Sequence, residues 1–277
     1  MNYKVKKDST ILKFLQEVNQ GWSKKKIKSL LSFHAILLNG KVLKRLEDVV
    51  KEGQTVTIKE KQKEVKDKRL KILYEDEYFI AVNKPYGMLS VSDHTKEETM
   101  YQIVNHYVKT NEKKRIYVLH RLDKDTSGVL VFVKDEKMKY RMQEKWNDYV
   151  SVREYYAVVE GTGLKKGTYQ SYLNETSTYY VYSSKEGKKA ITHYETLKEG
   201  KHTSLVRVNL ETGRKNQIRV HMMELHHPIV GDKKYGSKMN PMKRLGLHAR
   251  KLEFLNPVTK KHVIIEAPIP NEFQKLI

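Results

Sequence analysis

The chain has 277 residues, 39% hydrophobic and 31% charged, and its 54 lysines and arginines against 33 aspartates and glutamates give a formal net charge of +21. That length predicts about two domains, and so large a positive excess points to a polyanionic partner, nucleic acid above all. The absence of cysteine excludes disulfides, thiolate nucleophiles, iron–sulfur clusters and cysteine-ligated zinc, while the short apolar runs and the charged segment Met1–Asp8 argue against a membrane span or a signal peptide and for a cytoplasmic protein.

In chain order, Thr10–Asn19 reads as a helix because Ile11, Leu12, Phe14, Leu15 and Val18 fall near helical spacing. Ser23 is a suitable N-cap for a second helix over Lys24–Ser32 that buries Ile27, Leu30 and Leu31. Asn39-Gly40 inside Ile36–Leu43 is a strong hairpin signal, and Thr55–Ile58 predicts one more short strand. Lys24, Lys25, Lys26 and Lys28 crowd the first turns of the second helix, where cations oppose the helix dipole. On a protein this basic, phosphate contact accounts for them better than a solvated face. This order of elements, with Ser23-Lys24-x-x-Ile27-x-x-Leu30-Leu31, Asn39-Gly40-Lys41 and Gly53-x-x-Val56-x-Ile58, resembles the RNA-binding domain of the ribosomal-protein S-four type. The resemblance implies a small α/β RNA-binding domain. Lys59–Arg69 holds a single apolar side chain, Val65, and reads as a solvated linker. We therefore expect domains at residues 1–62 and 63–277.

Beyond the linker, Leu70–Tyr74, Tyr78–Val82, Glu154–Glu160, Ser204–Leu210 and His262–Glu266 read as strands. Glu98–Val108, Glu136–Trp146 and Gln217–Met223 read as helices. Strand and helix do not alternate regularly, so the expectation is α+β.

Several patterns lead nowhere. Gly161-Thr162-Gly163-Leu164-Lys165-Lys166-Gly167 is one residue too long for a dinucleotide fingerprint and reads as a turn. His221 and His226 lie five apart, which sends their rings to different sides of a helix, and Pro228 closes that helix; no metal is expected. His120-Arg121-Leu122-Asp123 is out of register with the kinase triplet, and no glycine-rich ATP loop accompanies it.

Three segments remain: Asn83-Lys84-Pro85-Tyr86-Gly87-Met88-Leu89-Ser90, the run Leu119–Gly128, and Thr212–His221 with Gly231-Asp232 and Tyr235-Gly236. Each places ionisable residues at the mouth of a strand or helix, where a scaffold can hold them for chemistry. His120-Arg121-Leu122-Asp123 through Thr126-Ser127-Gly128, Arg153-Glu154-Tyr155-Tyr156-Ala157, and Thr212-Gly213-Arg214 through Arg219 together resemble the RluA-type pseudouridine synthase family, over about residues 70–270. The departures are Asn216, where the family usually has histidine, His226, where it has glycine, and Val91-Ser92-Asp93-His94, where a His-Pro pair is frequent.

The resemblance implies an α+β catalytic domain with a central mixed, largely antiparallel sheet flanked by helices. It also implies isomerisation of uridine to pseudouridine in RNA, ribosomal RNA being favoured over transfer RNA. Breaking the glycosidic bond, turning the uracil and reattaching it through carbon 5 moves no electron, phosphate or one-carbon unit, so no cofactor is expected. By resemblance Asp123 is the nucleophile or electrostatic partner at sugar or base, and Arg219 opposes the rise in its pKa that burial brings. Tyr155 would stack on the displaced uracil and relay a proton from carbon 5. Arg121 would enter the stack that the target base leaves. His120 would orient the loop at the substrate-binding edge, and Arg214, with Lys24, Lys25 and Lys28, would contact RNA phosphates. Tyr156 should face away from Tyr155 in a regular strand. The rival readings are a catalytically silent RNA-binding or ribosome-assembly factor and a uracil-excising glycosylase; a monomer without an obligate protein partner is expected in each.

Overall fold

The computed structural model describes residues 2–19, 21–32, 35–58, 67–92 and 97–277. Most of the expected linker, and Asp93 and His94, lie outside the described residues. The chain divides into two compact units, Met1–Val65 and Lys66–Ile277.

The first unit contains β1 (Asn2–Lys4), β2 (Ser9–Thr10), α1 (Ile11–Val18), α2 (Lys24–Ser32), β3 (Ile36–Leu38), β4 (Lys41–Val42), β5 (Val49–Val50) and β6 (Thr55–Ile58). Its sheet runs β1-β6-β3-β4, and β2 pairs with β5. Thr10 caps α1, and the Ser23 hydroxyl accepts the Lys26 N–H at 3.2 Å at the start of α2. Asn39 and Gly40 both take positive φ, 48° and 83°, as a two-residue hairpin turn between β3 and β4 requires. Ile11, Phe14 and Leu15 of α1 and Ile27 and Leu31 of α2 bury against Ile36, Val50, Val56 and Ile58. At roughly 1.5–3 kcal/mol for each fully buried aliphatic side chain, this contact is what keeps two helices of under ten residues in place.

The second unit contains β7 (Ile72–Glu75), β8 (Phe79–Lys84), α3 (Met100–Glu112), β9 (Tyr117–Val118), β10 (Ser127–Val133), α4 (Glu136–Glu144), α5 (Trp146–Tyr149), β11 (Val150–Glu160), β12 (Gly167–Glu175) and β13 (Val181–Ser184). It continues with β14 (Lys188–Glu199), β15 (Thr203–Leu210), α6 (Gln217–Glu224), a 3-10 turn at Lys233–Tyr235, β16 (Leu247–Leu255), β17 (His262–Glu266) and α7 (Asn271–Gln274). One sheet runs β13-β12-β14-β15-β11-β16-β10-β8-β7, with β17 added on β16 and β9 on β10. Only the β10–β16 pair among the described strands is parallel. The architecture is the expected α+β, with a mixed and mostly antiparallel sheet. Among the described residues no helix is long and apolar enough to cross a membrane.

All seven residues of β10 are buried. Val129, Val131 and Val133 face Met138 and Met142 of α4, whereas Leu130 and Phe132 face Ile103, Val104 and Val108 of α3. A strand covered on both faces gives the unbroken apolar run seen in the sequence. Gly128, its second residue, has φ +114°, and a Cβ there would lie 2.1 Å from the Ala249 carbonyl oxygen, so only glycine lets β10 meet β16.

Two expectations need correction. The helix over Glu136–Trp146 breaks at Lys145 into α4 and the single turn α5. The segment 167–199, without a strand expectation, forms β12, β13 and β14. β12 buries only Leu173 fully, so the apolar alternation that would announce a strand is nearly absent. Tyr155 and Tyr156 do part company: Tyr155 packs with Leu122 and Ala249, and Tyr156 with Val158, Leu205 and Val230.

Candidate active site

Asp123 sits in the loop between β9 and β10. The loop is pinned just before it, because Leu122 is buried and exchanges two hydrogen bonds with Ser90. Its N–H donates to the Ser90 hydroxyl at 3.1 Å, and that hydroxyl donates to its carbonyl at 2.7 Å. A turn closed by the Thr126 N–H on the Asp123 carbonyl leads into β10. His120 turns its ring inward, where Nε2 accepts the Val131 N–H at 3.1 Å and the ring centroid lies 5.8 Å from that of Trp146. Burial pushes its pKa down to about 4, so it is a neutral fixture of the loop and presents no charge to a substrate.

Lys84, at the end of β8, was not among the expected site residues. It is fully buried, and its ammonium donates to the carbonyls of Pro85 at 3.0 Å, Met88 at 2.7 Å and Lys124 at 2.9 Å. Three acceptors match the three donors of the charged form. One cation thus ties the loop after β8 to the loop that carries Asp123. Burial draws its pKa down to about 7, against the pull of Asp125 and Asp123.

Arg219 comes from α6, whose N-cap Asn216 holds a left-handed φ of 53°. The guanidinium forks onto Asp232, Nε to Oδ2 at 2.6 Å and Nη2 to Oδ1 at 2.7 Å, and Nη1 donates to Asn216 Oδ1 at 3.1 Å. Its carbon lies 4.8 Å above the ring of Tyr235, whose hydroxyl accepts the Asn216 amide at 3.1 Å. Asn216, the departure from the family pattern, therefore completes the cradle of Arg219. The expectation that Arg219 partners Asp123 is corrected in one respect: its hydrogen bonds go to Asp232 and Asn216, and it acts on Asp123 as a nearby charge.

Burial raises the Asp123 pKa, and Arg219, then Lys84, Lys215 and Arg121, pull it back without cancelling the rise. Tyr155, in the middle of β11, is pushed up to about 12 by burial and by the charge of Asp123. The structure thus gathers Asp123, Tyr155, Arg219 and Arg121, and adds Lys84, Asp232 and Asn216. Arg121 is exposed. Arg214 is exposed as well, with Nε donating to the Lys189 carbonyl at 2.9 Å. Lys24, Lys25 and Lys28 stand exposed on α2 of the first unit. His221, one half of the rejected metal pair, is buried with its nitrogens at 2.8 Å from the Thr192 hydroxyl and 3.0 Å from that of Ser171. His226 lies past the helix end at φ +63°, which accounts for glycine being the family's choice there.

Residues 78–224 match the family model described as RNA pseudouridylate synthase. The chain belongs to the RNA pseudouridylate synthase family. It is 31% identical over 283 residues to ribosomal large subunit pseudouridine synthase D of Vibrio cholerae, covering 94% of this chain and 87% of the relative. It is 32% identical over 243 residues to the uncharacterized RNA pseudouridine synthase YhcT of Bacillus subtilis, covering 82% of this chain and 80% of that one. Among solved structures, human RNA pseudouridylate synthase domain containing 4 superposes with a TM-score of 0.62 at 24% identity, over 74% of this chain and 90% of its own. The domain containing 1 protein gives 0.59 at 25% identity, over 73% and 84%. A pseudouridine synthase is an isomerase acting on uridine in RNA, and the strongly basic composition suits that polyanionic substrate.

Proposed function

We propose that this pseudouridine synthase acts on ribosomal RNA through Asp123, with Tyr155, Arg219 and Arg121 in contact with the target nucleotide or its neighbours. The observation that carries the assignment is a half-buried carboxylate, desolvated yet surrounded by four cations, one of them a guanidinium clamped in place by Asp232. Such a carboxylate is poised to act on the sugar–base unit while the bond from N1 to the sugar breaks. After the uracil turns, a bond forms from carbon 5 to the sugar, carbon 5 loses its proton and N1 gains one, so the mass is unchanged. Tyr155 remains a phenol at neutral pH, because its pKa is about 12. It therefore serves as a relay, giving up its own proton as it takes the one from carbon 5. Arg121, exposed on the same loop, fills the gap left in the RNA stack.

The choice of ribosomal RNA follows the names of the relatives and the S-four-type pattern of the first unit. There Lys24, Lys25 and Lys28 would meet phosphates, as would Arg214 in the second unit. The same reading takes the working protein as a cytoplasmic monomer. Release of tritium from RNA labelled at carbon 5 of uridine tests it. Release by the wild type from large-subunit ribosomal RNA, and none by Asp123→Asn, is expected. Equal release by the two would refute the role of Asp123, and release from transfer RNA alone would refute the choice of RNA.

A further inference from the structure

Tyr86 follows Pro85 in the loop after β8, and it is 47% exposed although it belongs to a loop that Lys84 grips through the carbonyls on either side of it. One face of its ring is covered: the Arg244 guanidinium carbon lies 4.6 Å from the ring centroid. Arg244 is itself buried and immobilised, with Nη2 donating to the Ser127 hydroxyl at 2.6 Å and Nε to the Leu245 carbonyl at 3.2 Å. The ring is thus a rigid plate on a fixed cationic backing. It borders a polar cleft whose other walls include Asp125, Arg219, Asn240 and Lys243. The wall is closely packed at Gly231, where a Cβ would lie 2.2 Å from the Arg244 carbonyl oxygen.

Its position relative to Asp123 is fixed by shared residues. Asp125 lies two residues beyond Asp123 in the same loop, at most about 7 Å of chain. Arg219 both lines the cleft and acts on Asp123. Resting on the assignment of Asp123 above, we propose that this cleft is the subsite for the nucleotide next to the target uridine in the RNA chain, its base stacked on Tyr86 and its phosphate turned to Lys243.

The charges favour this seating of the nucleotide. Asp125 and Asp232 put carboxylates inside the cleft, and Asp232 is neutralised by Arg219. A phosphate against Asp125 would be repelled, whereas the edge of a base offers it N–H donors, as a carboxylate accepts from cytosine. Lys243 is exposed at the rim in a turn of positive φ, 53°, the natural place for a phosphate contact. A flat, uncharged, π-bearing group on Tyr86 and an anion at Lys243 together describe one nucleotide.

The test uses the full chain and a large-subunit ribosomal RNA transcript labelled with tritium at carbon 5 of uridine. Tyr86→Leu should raise KM by roughly five- to a hundredfold, the worth of one base–aromatic stack, while lowering kcat far less. Tyr86→Phe should behave as the wild type. A variant carrying p-benzoylphenylalanine at position 86 should, on irradiation, crosslink to the nucleotide beside the uridine that the wild type isomerises. An unchanged KM for Tyr86→Leu, or an adduct elsewhere in the RNA, overturns the subsite. Absence of tritium release by the wild type would instead overturn the assignment on which the subsite rests.

Discussion

Both carboxylate oxygens of Asp232 hold the guanidinium of Arg219, at 2.6 and 2.7 Å, and Asp232 is only 2% exposed. The charge that faces Asp123 is therefore aimed by a second carboxylate 13 residues further along the chain. Because the two forks match, Arg219 has little freedom to swing toward Asp123 and neutralise it in a closed ion pair. Arg219 thus opposes, as a nearby charge, the rise that burial brings to the Asp123 pKa, without drawing its oxygens into a closed pair.

Removing that aim should cost rate rather than affinity. Asp232→Asn keeps one acceptor but loses the charge and the fork. A misplaced group near the reacting atoms costs on the order of a hundredfold, so kcat for tritium release should fall by about that factor while RNA affinity in a filter-binding assay stays within a few-fold. Loss of affinity without loss of kcat would mean that Arg219 binds phosphate instead.

Asp123→Asn should abolish turnover and, at neutral pH, raise the melting temperature. Burial lifts the Asp123 pKa above its ordinary 3.8, so the folded protein retains a proton that the unfolded chain gives up at the same pH. Its contribution is therefore complete below the ordinary value and is lost as pH rises through the raised one. Asparagine escapes this penalty, and the gap between the two melting curves should close on acidification. Activity moves the opposite way, since the carboxylate must be ionised. The acid limb of the rate profile should lie above the usual aspartate range.

Lys24→Gln, Lys25→Gln and Lys28→Gln combined should lower the slope of log affinity against log salt by about two to three, at roughly 0.7–0.9 per lost phosphate contact. Far-ultraviolet circular dichroism should be unchanged, because all three side chains are exposed. An unchanged slope would make this row of lysines a solvated face.

His226→Gly should stabilise the protein. The residue is exposed and sits at φ +63°, where an L side chain is strained and glycine is not. Relief of that strain, less the extra entropy of glycine in the unfolded chain, leaves about 0.5 kcal/mol, readable in urea unfolding as a higher midpoint at constant slope.

The elements legible in the sequence were those with a one-sided or two-sided apolar pattern. α1, α2 and β8 each carry a buried stripe or run, and Ser23 and Asn39-Gly40 marked boundaries by their own side-chain chemistry. β12 and β13 could not be read this way, because tyrosines, serines and threonines there lie half exposed or exposed at the end of the sheet that buries least. Asp123, Tyr155 and Arg219 were singled out as candidates through motifs whose residues stand close in sequence. Lys84 escaped because lysine reads as surface, although its place, separated by one residue from the buried run Phe79–Val82 and directly before Pro85, was a usable signal. The pairing of Asp232 with Arg219 left no local trace, since it depends on how the chain returns after α6.

Lys84 recognises Pro85, Met88 and Lys124 solely through backbone oxygens. Such an anchor is indifferent to what side chains occupy positions 88 and 124, as every residue offers the same carbonyl. The scaffold around the carboxylate can thus be kept while the surface of both loops is rewritten residue by residue. Geometry for the reaction and preference for a particular RNA are separable, and one can diverge without disturbing the other.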